Sequence, residues 1–151
     1  MTTNLIALVP KFKLERGPTF VLSCDADGLN WLKDRFGGLV EAEPNESFMI
    51  GDGAPIGSDD RCRLTVVGAH GADSDRIKRC GHSEFTWRIT PTNSAFVAAQ
   101  LEALLTSNTP GHQYLEIEHG EYPTVVITKY EYPVDNIRAM RDGRAPLRRI
   151  P

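Results

Sequence analysis

Glu84-Phe85-Thr86-Trp87-Arg88-Ile89-Thr90, followed by Pro91-Thr92-Asn93-Ser94-Ala95-Phe96-Val97-Ala98-Ala99-Gln100-Leu101-Glu102-Ala103-Leu104-Leu105, holds both of the periodicities on which the fold turns. In the first seven residues Phe85, Trp87 and Ile89 alternate with Glu84, Thr86, Arg88 and Thr90, the period of two that places successive side chains on opposite faces of a strand. From Val97 the apolar positions recur at Leu101 and Leu104, flanked by Ala98 and Leu105, which is the buried stripe of an amphipathic helix. Thr92, Asn93 or Ser94 is expected to cap that helix, since a short side-chain oxygen there accepts from an amide of the first turn. Ser107 to Gly111 is expected to end it.

The same order occurs upstream. Thr19 to Cys24 reads as a strand, Asp25 or Asp27 as the cap of a helix with apolar positions Leu29, Leu32 and Phe36, and Gly37-Gly38 as its end. Arg63 to Gly68 is a strand, and Gln113 to Ile117 with Thr124 to Tyr130 forms a hairpin around His119-Gly120. Before these lies an extended segment, Asn4 to Leu14, broken at Pro10, with Phe12 and Leu14 alternating with lysines, and then a turn over Glu15 to Pro18. Ala69 to Gly81 is read as a polar loop, and Val134 to Met140 as a short last helix. Phe20 to Val67 and Phe85 to Val126 thus share one order, and Thr65-Val66-Val67 is echoed by Thr124-Val125-Val126.

The chain therefore reads as an α+β domain: a mostly antiparallel sheet of about six strands with two helices packed on one face, its two β-α-β-β halves arising either from duplication or because such units are common among α+β domains. One domain is expected over residues 1–134, with a short helix and basic tail over 135–151. The expected core is Phe20, Leu22, Leu29, Leu32, Phe36, Phe85, Trp87, Ile89, Val97, Leu101, Leu104, Leu115, Ile117 and Val126.

Composition narrows the function classes. With 151 residues, 40% hydrophobic and 25% charged, the chain can bury one core without disulfides or metals. No run approaches the roughly 20 apolar residues of a membrane span, and Met1 to Pro10 offers no basic segment followed by an apolar run and cleavage site, so export is not expected. Cys24, Cys62 and Cys80 are odd in number and widely spaced, which fits reduced thiols in a cytoplasm. The net charge of −3 argues against nucleic acid as a partner. That average hides a polarity. Glu41, Glu43, Glu46, Asp52, Asp59 and Asp60 stand in a glycine- and proline-rich belt with no Lys or Arg, around one short strand at Phe48-Met49-Ile50. Arg138, Arg141, Arg144, Arg148 and Arg149 crowd the C-terminus against Asp142 alone.

Three residue groups invite chemistry. Cys24-Asp25-Ala26-Asp27-Gly28 follows an apolar strand and resembles the first motif of haloacid-dehalogenase-type phosphatases, with Ile50-Gly51-Asp52-Gly53 resembling their magnesium motif. The two lie too close for the sheet that must separate them, so helix capping is the expectation. Cys62, His70, Cys80 and His82 lack the paired spacing of a zinc site, so no metal or cofactor is expected. His112, Tyr114 and Glu116 share one face of a strand, where an imidazole beside a carboxylate could run acid–base catalysis.

Phe85 to Pro133, with its strand, helix, Gly111-His112-Gln113-Tyr114-Leu115-Glu116 and closing Glu131-Tyr132-Pro133, resembles small uncharacterised bacterial α+β proteins, some of them grouped with the immunity proteins of polymorphic toxin systems. That resemblance implies an intracellular protein that binds and blocks a toxin, with no site residues to carry over. The acidic belt points the same way, since toxins that attack nucleic acid carry basic clefts that such a loop can fill. The expectation is a non-enzymatic binding protein whose contact residues are Glu41, Glu43, Glu46, Asp52, Asp59 and Asp60. Two alternatives stand beside it: a small hydrolase or transferase using His112, Tyr114 and Glu116, and a homodimer or larger scaffold joined through an unpaired sheet edge.

Overall fold

A computed structural model describes residues 4–9, 17–41, 43–51, 57–58, 62–71, 74–117, 122 and 124–129. Over these the chain is α+β, as its periodicities require, with the elements β1 (Leu5–Val9), β2 (Thr19–Cys24), α1 (Ala26–Gly38), β3 (Ser47–Ile50), β4 (Gly57–Ser58), β5 (Arg63–Gly68), β6 (Arg76–Gly81), β7 (Glu84–Ile89), α2 (Pro91–Thr106), β8 (Gly111–Glu116) and β9 (Thr124–Lys129). Residues 10–14 and the helix expected over 134–140 lie outside the described residues.

The strands form two sheets where one of about six strands was expected. The first runs β4-β1-β2-β9-β8 and the second β3-β5-β7-β6. Both are mixed: a parallel pair at the centre, β2 with β9 or β5 with β7, is flanked by antiparallel strands. The reason is the connectivity. Apart from the two-residue β4, which adds in parallel to β1 at the edge of the first sheet, each half is a β-β-α-β-β unit that sends its first hairpin to one sheet and its second to the other, so the hairpins of the two halves meet in parallel. The extra strand of the second unit is β6, in the stretch read as a polar loop. Of its six residues only Ile77 is buried, so the alternation that marks a half-buried strand is missing from its sequence.

The repeat extends to side chains. Counted along α1 and α2, the buried residues Leu29, Leu32 and Phe36 occupy the same positions as Ser94, Val97 and Leu101. Phe20 of β2 and Phe85 of β7 are likewise equivalent, five residues before the helix N-cap in each half, and their rings meet edge to face at 5.0 Å between centroids. Tyr122 packs against both. The helices pack on each other, α1 reaching the second sheet through Phe36, whose ring meets Phe48 and Trp87. Thirteen of the fourteen expected core residues are buried; Ile117 is partly exposed and packs against the core from its rim.

The two sheets differ in one respect. Every position of β2 and β9 is buried, the polar Thr19, Ser23, Thr124, Thr128 and Lys129 included, so that parallel pair is covered on both faces. In β5 and β7 burial alternates, leaving one face toward the core and one toward solvent. Among the described residues no helix is long and apolar enough to cross a membrane.

Both helix starts are braced alike. Asp25 caps α1, its Oδ1 accepting from Gly28 N at 2.9 Å, while its own N–H donates to Asn4 Oδ1 at 2.8 Å. Thr90 caps α2, one turn earlier than the expected Thr92 to Ser94, with Pro91 in the first turn; its Oγ1 accepts from Asn93 N at 3.3 Å, and its N–H donates to Asp75 Oδ1 at 3.2 Å. Asn4 and Asp75 each immediately precede the first strand of their half, so each cap is tied to the hairpin that opens its unit. At the far end of α2, Lys129 Nζ, buried at the end of β9, donates to Leu104 O and Ser107 O. A cation there satisfies carbonyls the helix leaves open and opposes the negative end of its dipole.

Gly28 makes the first brace fit, because a Cβ at that residue would stand 2.4 Å from Asn4 Oδ1. Alanine in a helix ordinarily stabilises by about 0.5–1 kcal/mol relative to glycine. Gly28→Ala is expected to reverse that sign, costing about 1–3 kcal/mol through overpacking and loss of the Asn4 hydrogen bond. Gly37→Ala, where nothing lies within 4 Å of the new methyl, is expected to keep it. Urea denaturation of the two variants beside the parent chain measures both signs.

Candidate functional site

The chemistry-bearing residues separate once they are placed. His112, Tyr114 and Glu116 lie on β8, the edge strand of the first sheet, opposite Thr128, Val126 and Thr124 of β9. Leu115 turns inward and is buried, whereas Glu116 is exposed and His112 half-buried. An extended strand advances about 3.3 Å per residue, so the backbones of His112 and Glu116 are roughly 13 Å apart. That is far beyond direct proton exchange between imidazole and carboxylate. His112 and Glu116 therefore do not form an acid–base pair with each other.

The Cys24-Asp25 group is structural in its geometry. Asp25 is occupied as the helix cap, and Asp27 lies exposed in the first turn of α1, where a negative charge favours the helix dipole. Burial pushes the Cys24 thiol far above its ordinary value, and the neighbouring Asp25 charge adds to the effect. A thiol held protonated in this way is a poor nucleophile despite its place beside a helix N-terminus. Gly51 adopts a left-handed φ of 99°, and Asp52 lies outside the described residues. Cys62 is buried in the core while Cys80, His70 and His82 are exposed, and among the described residues no three His, Cys, Asp or Glu side chains are grouped to hold a metal ion.

Of the acidic belt, Glu41, Glu43 and Glu46 are described and all three are exposed; Asp52, Asp59 and Asp60 lie outside the described residues. The three stand on the connection from α1 to β3. That connection is pinned to the end of β5: Asn45 N donates to Gly68 O at 3.0 Å and Gly68 N to Glu46 O at 2.8 Å, with Glu46 N bonded to Glu43 O at 3.2 Å. Asn45 itself takes a left-handed φ of 73°, which Asn tolerates better than most residues. The backbone of this acidic loop is thus held by the second sheet while its carboxylates face solvent.

A cleft of about 100 Å3 was not foreseen from the sequence. It opens between the first turns of α2 and the end of β8, with Trp87, Val97 and Leu115 as its apolar lining, Phe96 at its side and the carboxylates of Asp75 and Glu116 bordering it. Phe96, the largest exposed apolar side chain among the described residues, keeps 53% of its surface in solvent. The available signal was its position: a phenylalanine off the Val97-Leu101-Leu104 stripe has no core to enter. Asp75 accepts from both Thr90 N and Thr90 Oγ1, and its φ of 57° is again left-handed.

Burial divides the thiols. Ellman's reagent is expected to label Cys80 alone in the native chain, with Cys24 and Cys62 reacting only on unfolding. Because Cys24 keeps its proton when folded and gives it up more easily when unfolded, its contribution to stability is complete below the ordinary thiol pKa of 9.0 and is lost as pH rises beyond it. Urea midpoints recorded from pH 8 to 10 should fall more steeply for the parent chain than for Cys24→Ala. No protein-family model, curated protein or solved structure matches the chain.

Proposed function

We propose that this chain is a non-enzymatic binding protein that meets a basic protein partner through the loop carrying Glu41, Glu43 and Glu46, and that the partner is a toxin domain which it neutralises. The observation that carries the reading is a combination: Glu41, Glu43 and Glu46 are all exposed, and the loop that bears them is hydrogen-bonded at Asn45 and Glu46 to the end of β5. A preorganised loop loses little conformational freedom on binding, so its charges contribute to affinity rather than being offset by ordering. Exposed acids also steer a basic partner toward the loop before contact. The resemblance of Phe85 to Pro133 to immunity proteins supports the toxin as partner, and three cysteines that form no disulfide suit a reducing cytoplasm as the place of the encounter.

The test is binding under charge reversal. A partner captured by the parent chain is titrated calorimetrically against the parent and against the triple variant Glu41→Lys, Glu43→Lys, Glu46→Lys. Expected is a loss of at least tenfold in affinity, most of it in the association rate, together with a weaker dependence of affinity on salt. The variant should keep the parent's thermal midpoint within a few degrees, because the three side chains are exposed. Equal affinity in a folded variant would remove the loop from the interface.

A further inference from the structure

The internal repeat supplies its own comparison for the cleft beside Phe96. Trp31 and Phe96 are each the sixth residue of their helix. In the first half Trp31 stacks edge-on against Phe48 at 5.9 Å and is covered by a cation, the Arg35 guanidinium lying 5.4 Å from its ring centroid. In the second half the residue equivalent to Arg35 is Gln100 and the one equivalent to Phe48 is Gln113, so among the described residues the cation and the stacked ring that Trp31 has are not repeated at Phe96. What borders Phe96 instead is a cleft with two carboxylates, Asp75 and Glu116.

We propose that this cleft receives a lysine or arginine side chain of the basic partner, which covers Phe96 as Arg35 covers Trp31. The chemistry fits in three respects. The apolar lining of Trp87, Val97 and Leu115 suits the methylene stem of such a side chain, and Phe96 offers a ring face to its cationic head. Asp75 and Glu116 supply opposite charge. Asp75 gives up two of its acceptor sites to Thr90 and retains others, and its negative charge counters the positive end of α2, which alone would repel a cation. Size favours a side chain over a free metabolite: the cleft measures about 100 Å3, whereas pockets for small-molecule ligands run to about 300–1,000 Å3. The inference rests on the partner being basic, as proposed above, and adds a second contact point remote in sequence from the acidic loop.

The experiment titrates the 15N-labelled full chain by NMR with Ac-Gly-Arg-Gly-NH2 and Ac-Gly-Lys-Gly-NH2, and with the neutral isostere Ac-Gly-norleucine-Gly-NH2. Expected are saturable shifts at the amides of Asn93, Phe96, Leu115, Glu116 and Ile117 with the two cationic peptides and not with the norleucine peptide. Phe96→Leu, which keeps apolar bulk and removes the ring, and Glu116→Gln should each raise the dissociation constant threefold or more; both residues are exposed, so the spectra themselves report an intact fold. Absence of those shifts, equal binding of the norleucine peptide, or indifference to both substitutions would overturn the proposal. So would tighter binding of free 1,4-diaminobutane than of either peptide, which would make the occupant a small amine. The same titration of the Glu41→Lys, Glu43→Lys, Glu46→Lys variant separates this inference from the loop reading. Unchanged shifts at the cleft support it even if the loop takes no part in partner binding, and their loss would place the peptides on the loop.

Discussion

The edge-to-face contact of Phe20 with Phe85 is the joint on which the rest of the molecule depends. These are equivalent residues of two repeated units, and neither sits beside its own unit's second hairpin: Phe20 pairs with Val125 of β9, and Phe85 with Leu64 of β5. Each sheet is therefore half one unit and half the other. A unit alone would have two unpartnered hairpins and a helix with its apolar stripe uncovered, and an isolated hairpin is marginal in water. Burial of both rings, together with Tyr122, fastens the two sheets where the units exchange strands. An aromatic pair adds about 0.5–1.5 kcal/mol beyond the area it buries, but its larger consequence is that neither sheet can be completed without the other.

That constraint decides where function can reside. Residues on the buried parallel pair β2 and β9, Cys24 among them, are committed to packing. The helix caps are committed as well, since Asp25 and Thr90 tie each helix to the hairpin that opens its unit. The remaining freedom lies where the two units differ. One helix has Trp31 covered by Arg35 and runs into the acidic loop; the other leaves Phe96 open beside two carboxylates and closes on Lys129. Both departures leave acidic groups at the surface, on the framework that the strand exchange builds.

Much of this was legible in the sequence. Leu29, Leu32 and Phe36, and then Val97, Leu101 and Leu104, carry the helical period so plainly that both helices and their buried faces follow from spacing alone. Phe85, Trp87 and Ile89 do the same for β7, and the echo of Thr65-Val66-Val67 in Thr124-Val125-Val126 marks two strands, β5 and β9, that hold equivalent places in the two sheets. Strand exchange was not legible, because periodicity tells which face a strand buries and not which neighbour it pairs with. β6 was missed because only Ile77 of its residues needs the core. The cap at Thr90 could have been read from Pro91, whose fixed φ suits a first helical turn. His112, Tyr114 and Glu116 do lie on one strand, β8, but the face pattern alone left out of account the roughly 13 Å that an extended strand places between the backbones of His112 and Glu116. The cleft joins Asp75, Phe96 and Glu116 from three elements, a juxtaposition that only the fold creates.

The strand-exchanged joint is tested most directly by a double-mutant cycle on Phe20→Leu and Phe85→Leu, followed by urea denaturation of the four proteins. Expected is one cooperative transition in every protein and a coupling of about 1 kcal/mol between the two sites, as residues in direct aromatic contact should show. Losses that simply add, or a second transition that appears when either ring is shortened, would mean that the two units stand independently and that the joint between Phe20 and Phe85 does not hold them together.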